Sequence, residues 1–192
     1  GARYADSQGL DEIHVLANAF RYRDYVVSAF NKDKPYDRFV REQLAGDLLD
    51  AGDDANVEAE LITATGFLVL GPKSLAEVDE TKMGMDIIDE QVDSVGKAFL
   101  AMTLCCARCH NHKFDPFPTQ DYYSLAGIFG STTTVTKYQG PGDSKRGRWL
   151  ERELSKDPAI HAMAVQDGDI FDFRVHVRGS PLSLGEEVPR RF

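Results

Sequence analysis

Apolar residues recur every three or four positions over several stretches of the chain, which predicts a mostly α-helical fold. The first predicted helix runs from Ala19 to Asn31, and the second from Pro35 to Leu49, with a proline suited to its first turn. A third, shorter helix is predicted from Glu58 to Leu68. The polar stretch Asp50–Asp54 separates the second from the third.

The strongest helical periodicity begins near Asp86. Six apolar residues predict one continuous buried face: Met85, Ile88, Val92, Val95, Phe99 and Met102. Three acidic residues, Asp86, Asp89 and Asp93, lie mainly off this face and are expected to be solvated, although their spacing is also compatible with a calcium ion.

The character of the sequence changes at Gly130. A helix is predicted from Thr119 to Phe129, after which Ser, Thr, Gly and Pro become frequent. Alternating apolar residues then predict a strand from Ile170 to Val177 with one buried face. We therefore expect a helical domain over residues 1–130. Residues 131–192 are expected to form a linker and a short, partly β tail at the junction to a further domain.

Composition narrows the class of protein. The chain has 192 residues, 42% hydrophobic and 28% charged, which is typical of a folded globular protein. Its net charge of −9 argues against a nucleic-acid partner. No apolar run approaches the ~20 residues of a membrane span. Because the sequence begins without Met, a leader or an upstream domain is expected to precede it.

One short segment carries the candidate chemistry. All three cysteines and two of the five histidines lie within Leu104–Pro116. Residues 106–110 spell C-x-x-C-H, the attachment signature of c-type haem, in which two thiols bond the two vinyl groups and the adjacent histidine binds the iron. We expect one covalent haem c, with Cys106 and Cys109 as attachment residues and His110 as the proximal ligand.

Other uses of the segment stay open. Four side chains could supply a structural zinc site: Cys106, Cys109, His110 and His112. Ligands so crowded on one segment rarely close a tetrahedron. A thioredoxin-like dithiol normally follows a strand, whereas this pair follows a predicted helix. A plain disulfide is the remaining alternative. The third cysteine, Cys105, is expected to be a small buried apolar residue.

A second axial ligand would have to come from elsewhere in the chain. The candidates are Met83, Met85, Met102, His14, His112, His161 and His176. Met102 lies on the apolar stripe and is expected in the core. His112 is too close in sequence to His110 to reach the opposite face of the same iron. The two histidines of the tail are expected to be surface or strand residues.

Several short sequence segments together resemble one bacterial family. They are Arg3–Ser7, Arg21–Val26, Asn31–Phe39, Glu42–Leu49, Ala64–Phe67, Cys106–Pro116 and Asp121–Tyr123. In this order they are similar to the cytochrome-associated domain of unknown function that is abundant in planctomycetes, over about residues 2–131. The end of the chain, residues 175–192, is similar to the junction into a second uncharacterised domain.

The resemblance implies an exported, periplasmic or cell-surface multidomain protein in which this domain follows a cytochrome c domain. It assigns no activity. The family's usual His-Asp-His reads His110-Asn111-His112 here, so a role that needs a carboxylate at the middle position is in doubt.

Three functions follow as hypotheses. The first is one-electron transfer through covalent haem to a redox partner protein or a neighbouring domain. The second is a haem enzyme, or a module that feeds electrons to a catalytic neighbour. The third is a non-redox surface module with a structural Cys/His metal site. No catalytic acid–base pair stands out, so the sequence alone leaves open whether the protein is an enzyme. The oligomeric state and the redox potential are equally open.

Overall fold

A computed structural model describes residues 3–7, 15–75, 77–135, 149–154 and 160–191. The chain divides into two compact units. The first unit contains the described residues up to Pro72 and those from Thr134 to Gln166, and the second contains Lys73–Thr133 and the residues from Asp167 onward. The domain boundary predicted near residue 130 divides the sequence in a different way from these two units, and it stays a prediction.

The described residues are largely helical, with a few short strands toward the C-terminal end. The helices are α1 (Ala19–Asn31), α2 (Tyr36–Ala45), α3 (Ala55–Ala64), α4 (Gly66–Val69), α5 (Glu80–Val95) and α6 (Thr119–Gly130). The strands are β1 (Thr132–Thr133), β2 (Glu151–Glu153), β3 (His161–Met163), β4 (Gln166–Asp167), β5 (Phe173–His176) and β6 (Leu184–Val188).

Helix α1 has the bounds that the apolar spacing predicts, whereas α2 is shorter than predicted. Helix α2 ends at Ala45 and is followed by a 3₁₀ turn over Gly46–Leu48. A side chain on Gly46 would collide with the backbone carbonyl of Leu61, so this turn lets two segments of backbone approach closely. The third helix begins earlier than predicted, because Asp54 accepts hydrogen bonds from the backbone N–H groups of Asn56 and Val57.

The first unit holds a charge cluster around the buried side chain of Glu42, formed with Tyr25, Lys34, Arg38 and Glu60. Glu42 is only 2% exposed and accepts hydrogen bonds from Tyr25 (2.9 Å), Arg38 (2.7 Å) and Lys34. Lys34 also pairs with Glu60 at 2.7 Å. Burial alone would raise the pKa of Glu42, but the hydrogen bonds outweigh it and lower the pKa. Glu42 is therefore buried as a compensated carboxylate.

The second unit packs α5 against α6 and adds the hairpin of β5 and β6. Helix α5 begins where Asp79 accepts a hydrogen bond from the backbone N–H of Lys82 at 3.0 Å. A wide π-helical turn over Gly96–Leu100 follows, and Ala101 then adopts a left-handed conformation with φ +55°. The helix therefore stops before the cysteine segment instead of running into it.

The predicted continuous apolar face of α5 is wrong in part. Met85, Val92 and Val95 are buried, whereas Ile88, Phe99 and Met102 are partly exposed. The buried band instead includes Met83, Ile87, Gln91 and Val95, a series with four-residue spacing. The π-helical turn adds a residue to the turn after Val95, which rotates the later residues off the stripe.

The predicted strand of the tail is also shorter than expected. Ile170 and Phe171 are exposed, Val177 is half exposed, and only Phe173–His176 forms β5. The strand pairs antiparallel with β6, and its register is irregular between Arg174 and His176. This irregularity changes which side chain faces the interior, so that His176 is buried where an apolar residue was predicted.

Candidate cofactor-attachment site

The cysteine segment forms a short 3₁₀ turn over Leu104–Arg108, anchored by two fully buried side chains, Leu104 and Ala107. Cys106, Cys109 and His110 are all exposed. Neither cysteine forms a disulfide, so both thiols are free. The buried side chains of Leu104 and Ala107 thus anchor the segment, while two thiols and an imidazole are exposed to solvent.

One hydrogen bond fixes the tautomer of His110. Its Nδ1 lies 2.8 Å from the backbone carbonyl oxygen of Asn111. A carbonyl oxygen can only accept, so Nδ1 carries the hydrogen and the neutral ring keeps its lone pair on Nε2. Histidines that bind metals are commonly oriented in this way by a backbone carbonyl. His110 therefore has the electronic arrangement of a ligand through Nε2.

His112 has the opposite arrangement. Its Nδ1 accepts the backbone N–H of Asp115 at 2.9 Å and lies 3.4 Å from that of Phe114. A carboxylate oxygen of Asp115 also lies 3.2 Å from this nitrogen, but the shorter backbone N–H contact makes Nδ1 an acceptor. The lone pair of His112 is thus used to close the loop. That His112 is not an axial ligand stays a prediction.

Asn111 connects the segment to the next helix. Its side-chain oxygen accepts the backbone N–H of Thr119, the first residue of α6, at 2.9 Å, in addition to the contact of its backbone oxygen with His110. An amide oxygen accepts this bond as a carboxylate would. Asn111 therefore holds the first residue of α6 without placing a charge beside the cysteine segment.

Arg108 pairs with the acidic face of α5. Its guanidinium lies 3.3 Å from Asp86 and 3.5 Å from Asp89. Asp89 also accepts the hydroxyl of Tyr122, a side chain that is fully buried. The expectation of a solvated acidic face is therefore wrong at Asp89. This carboxylate holds the cysteine turn and α6 to α5.

Cys105 is half-buried instead of fully buried. Burial and a hydrogen bond with Asp93 raise the pKa of its thiol to about 12. At neutral pH it is protonated and is a poor nucleophile. The three cysteines therefore differ in accessibility, and the two of the C-x-x-C-H motif are the accessible ones.

The C-terminal hairpin reaches the second cysteine of the motif. A 3₁₀ turn over Val177–Gly179 follows β5, and a Cβ atom on Gly179 would lie 2.5 Å from the sulfur of Cys109. The hydroxyl of Tyr123 lies 3.0 Å from the backbone oxygen of Arg108 and 3.5 Å from that of His176. In the sequence, Tyr123 is notable only as part of Asp121–Tyr123, one of the segments that resemble the family. No sequence pattern predicts its long-range contacts.

The candidates for a second axial ligand lie in different environments. Met83 and Met85 lie inside α5 and are buried. Met102, expected in the core, is half-buried and lines a cavity of about 370 Å³ with Leu100 and Phe117. His161 lies in β3 of the first unit, and His14 falls outside the described residues.

The donor set fits covalent haem. Two free, exposed thiols with C-x-x-C spacing are followed directly by a histidine whose Nε2 lone pair is available. A preformed metal site is a different matter: within the described parts of the chain, no three His, Cys, Asp or Glu side chains are grouped closely enough to hold a metal ion.

Comparison with known proteins places the chain in a family. The model of PSCyt2, a protein family of unknown function (DUF1549), matches residues 1–134. The chain belongs to this family. The match to PSCyt2 includes the whole cysteine segment, but not the C-terminal hairpin that contacts Cys109. No curated protein and no solved structure matches the chain significantly. Among the helices that the structure describes, none has the length and apolar composition of a membrane span.

Proposed function

We propose that the protein is an exported c-type haem protein that transfers single electrons. Cys106 and Cys109 attach the haem, and His110 is the proximal ligand of its iron. One observation carries the proposal: two free, exposed thiols share a short turn with a histidine whose Nδ1 donates to a backbone carbonyl. Haem c is attached outside the cytoplasm, so the same proposal places the protein in the periplasm or at the cell surface.

The covalent chemistry needs only the two thiols. Cys106 and Cys109 would hold the haem through two thioethers, each thiol adding its S–H across one vinyl group so that sulfur bonds one vinyl carbon and hydrogen the other. No electrons enter or leave in this addition, provided that the cysteines are reduced, as they are here. Cys105, with its thiol protonated, takes no part.

The haem would supply one-electron exchange at its iron, at a potential tuned by the axial ligands and by burial. His110 would donate its Nε2 lone pair, and its hydrogen bond to the Asn111 carbonyl would make the ring more basic. The three attachment side chains are exposed, so a redox partner or a neighbouring domain can approach the site directly.

The test is to express the chain with a haem c attachment system and to measure its intact mass and its pyridine haemochrome spectrum. We expect one haem mass that survives acid–acetone extraction. The double variant Cys106→Ala/Cys109→Ala should carry none, and Cys105→Ala should keep it. A colourless wild-type protein, or haem lost on extraction, would contradict the proposal.

Two histidine variants test the ligand assignment. His110→Ala should abolish the wild-type spectrum, whereas His112→Ala should shift it only modestly because its ring closes a loop. Equal collapse in both variants would refute the assignment. Ready binding of carbon monoxide by the reduced wild-type protein would favour ligand chemistry, as in a haem enzyme, over simple electron transfer.

A further inference from the structure

The turn over Val177–Gly179 lies against the sulfur of Cys109. Gly179 has φ +76°, and the nearest atom to a Cβ placed on it would be the Cys109 sulfur at 2.5 Å. Real Cβ atoms do not approach a heavy atom this closely, so any side chain here would move the thiol. The next nearest atoms belong to Arg108: its side-chain Cγ at 3.6 Å and its backbone oxygen at 3.8 Å. Gly179 therefore leaves room for one particular position of the Cys109 sulfur.

Tyr123 holds this turn and the motif together. Its ring is fully buried and lies 5.0 Å from the His176 ring and 6.4 Å from that of Phe173, centroid to centroid. Its single hydroxyl lies within hydrogen-bond distance of the carbonyl oxygens of Arg108 and His176. These two carbonyls precede Cys109 and the Val177–Gly179 turn directly. The hydroxyl thus fixes the distance between the two backbone segments that meet at the thiol.

Cys106 serves as the internal reference, because it lies in the same motif and is exposed like Cys109. We propose that Tyr123 and Gly179 are positioning residues that fix the Cys109 thiol relative to Cys106 for attachment through two thioethers. The C-terminal hairpin then contributes to the attachment site by positioning Cys109. This inference rests on the proposed haem function for its consequence, but the position of the thiol can be measured without haem.

The first experiment measures thiol alkylation in the haem-free full chain at pH 8. Peptide mass spectrometry gives the rates for Cys106 and Cys109 in the same molecule, and the ratio of the two rates is the readout. Loss of global stability accelerates both cysteines together, whereas loss of positioning moves Cys109 alone. We expect Gly179→Ala to change the ratio by at least about threefold, because the thiol must leave its preferred rotamer.

Matched variants separate positioning from strain and from stability. Gly52 also has a positive φ, +59°, but no atom lies within 4 Å of a Cβ placed there, so Gly52→Ala introduces backbone strain without a clash. It should leave the ratio unchanged. Tyr123→Phe should change the ratio in the native state. Tyr25→Phe, which removes a buried hydroxyl that bonds Glu42, should not.

The second experiment examines the haem-loaded chain. Addition through one or two thioethers gives the same mass, so the products are distinguished after denaturation by counting alkylatable thiols. We expect wild type to show one, Cys105, and Gly179→Ala to show a fraction with two. That fraction should also have a haemochrome band at longer wavelength, because one vinyl group stays conjugated.

The outcomes are distinct. A wild-type ratio that is the same in native buffer and in urea would overturn the positioning inference, as would equal effects of Gly179→Ala and Gly52→Ala. If the wild-type chain takes up no haem, the proposed function fails, while the alkylation ratio still decides whether Tyr123 and Gly179 position Cys109.

Discussion

The two units use their reactive side chains in opposite ways. In the first unit, the charge cluster places Glu42 at 2% exposure and pairs it with Tyr25, Lys34 and Arg38. In the second unit, the thiols of Cys106 and Cys109 and the ring of His110 are exposed. Two polar side chains of that unit contact Arg108 next to the motif: Tyr123 bonds its backbone oxygen, and Asp89 pairs with its guanidinium.

The difference separates structural from functional chemistry. A buried carboxylate whose bonds are all made by its own chain has nothing left to offer a ligand, and its contribution is to the fold. An exposed thiol on a turn fixed by buried neighbours contributes little to stability and keeps its reactivity. Substitutions in the first unit should therefore affect folding, and substitutions at the exposed motif should affect cofactor attachment.

The largest effect is expected for Glu42→Ala. Removal of this carboxylate leaves the buried Tyr25 hydroxyl without its acceptor, and Lys34 is left paired with Glu60. Breaking a buried ion pair by removing one partner costs about 3–5 kcal/mol. Urea unfolding followed by circular dichroism should show a loss of this size in the free energy of unfolding.

The matched control lies on the same helix. Asp37 pairs with Arg41, and both side chains are about two-thirds exposed. Asp37→Ala should leave the free energy of unfolding close to that of wild type, as is usual for exposed pairs. Similar losses for Asp37→Ala and Glu42→Ala would show that burial does not distinguish the two carboxylates.

An intermediate effect is expected for Asp89→Ala in the second unit. Tyr122 is fully buried and donates its hydroxyl to Asp89, so the variant leaves a buried donor unpaired. Such a group costs about 1–3 kcal/mol. Asp86→Ala is the control, because Asp86 lies on the same helix and also contacts Arg108 but is exposed. Equal midpoints for the two variants in urea would remove the structural role assigned to Asp89.

The sequence predicted those parts of the fold that depend on local spacing. Helix α1 has the predicted bounds and α6 ends one residue later than predicted, because each has a clear apolar pattern and a polar or proline-containing boundary. The apolar stripe of α5 failed after Val95. Gly96 lies against the Leu104 side chain, where a Cβ would be 2.5 Å away, and this tertiary contact coincides with the π-helical turn.

The sequence alone indicated only those residues of the candidate site that are close together in the chain. Cys106, Cys109 and His110 are adjacent in the chain, so their spacing alone raised the haem hypothesis. Tyr123 and Gly179 are 14 and 70 positions beyond Cys109, and no local pattern connects them to it. Likewise, the tautomers of His110 and His112 depend on backbone geometry that the sequence does not contain.

The smallest effect is expected from the titration of His176. Its ring is 5% exposed, its Nδ1 has no hydrogen-bond partner among the described residues, and the groups near it are Arg108, Tyr123 and Phe173. Burial, and then the charge of Arg108, lowers the pKa of His176 below its ordinary value of 6.5. Tyr123 stays neutral in this range because burial raises its pKa to about 12.

The sign of the pH dependence follows from these shifts. As the pH falls through about 6.5, the unfolded chain takes up a proton at His176 that the folded chain does not, so stability is lost toward acid. A single group of this kind can contribute less than about 1 kcal/mol at pH 6. His176→Phe should remove this part of the loss between pH 7.5 and pH 6 in urea unfolding. Phe173→Leu, which disturbs the same aromatic packing without removing the imidazole, should retain it; a pH response in His176→Phe as steep as that of wild type would show that this ring does not titrate with folding.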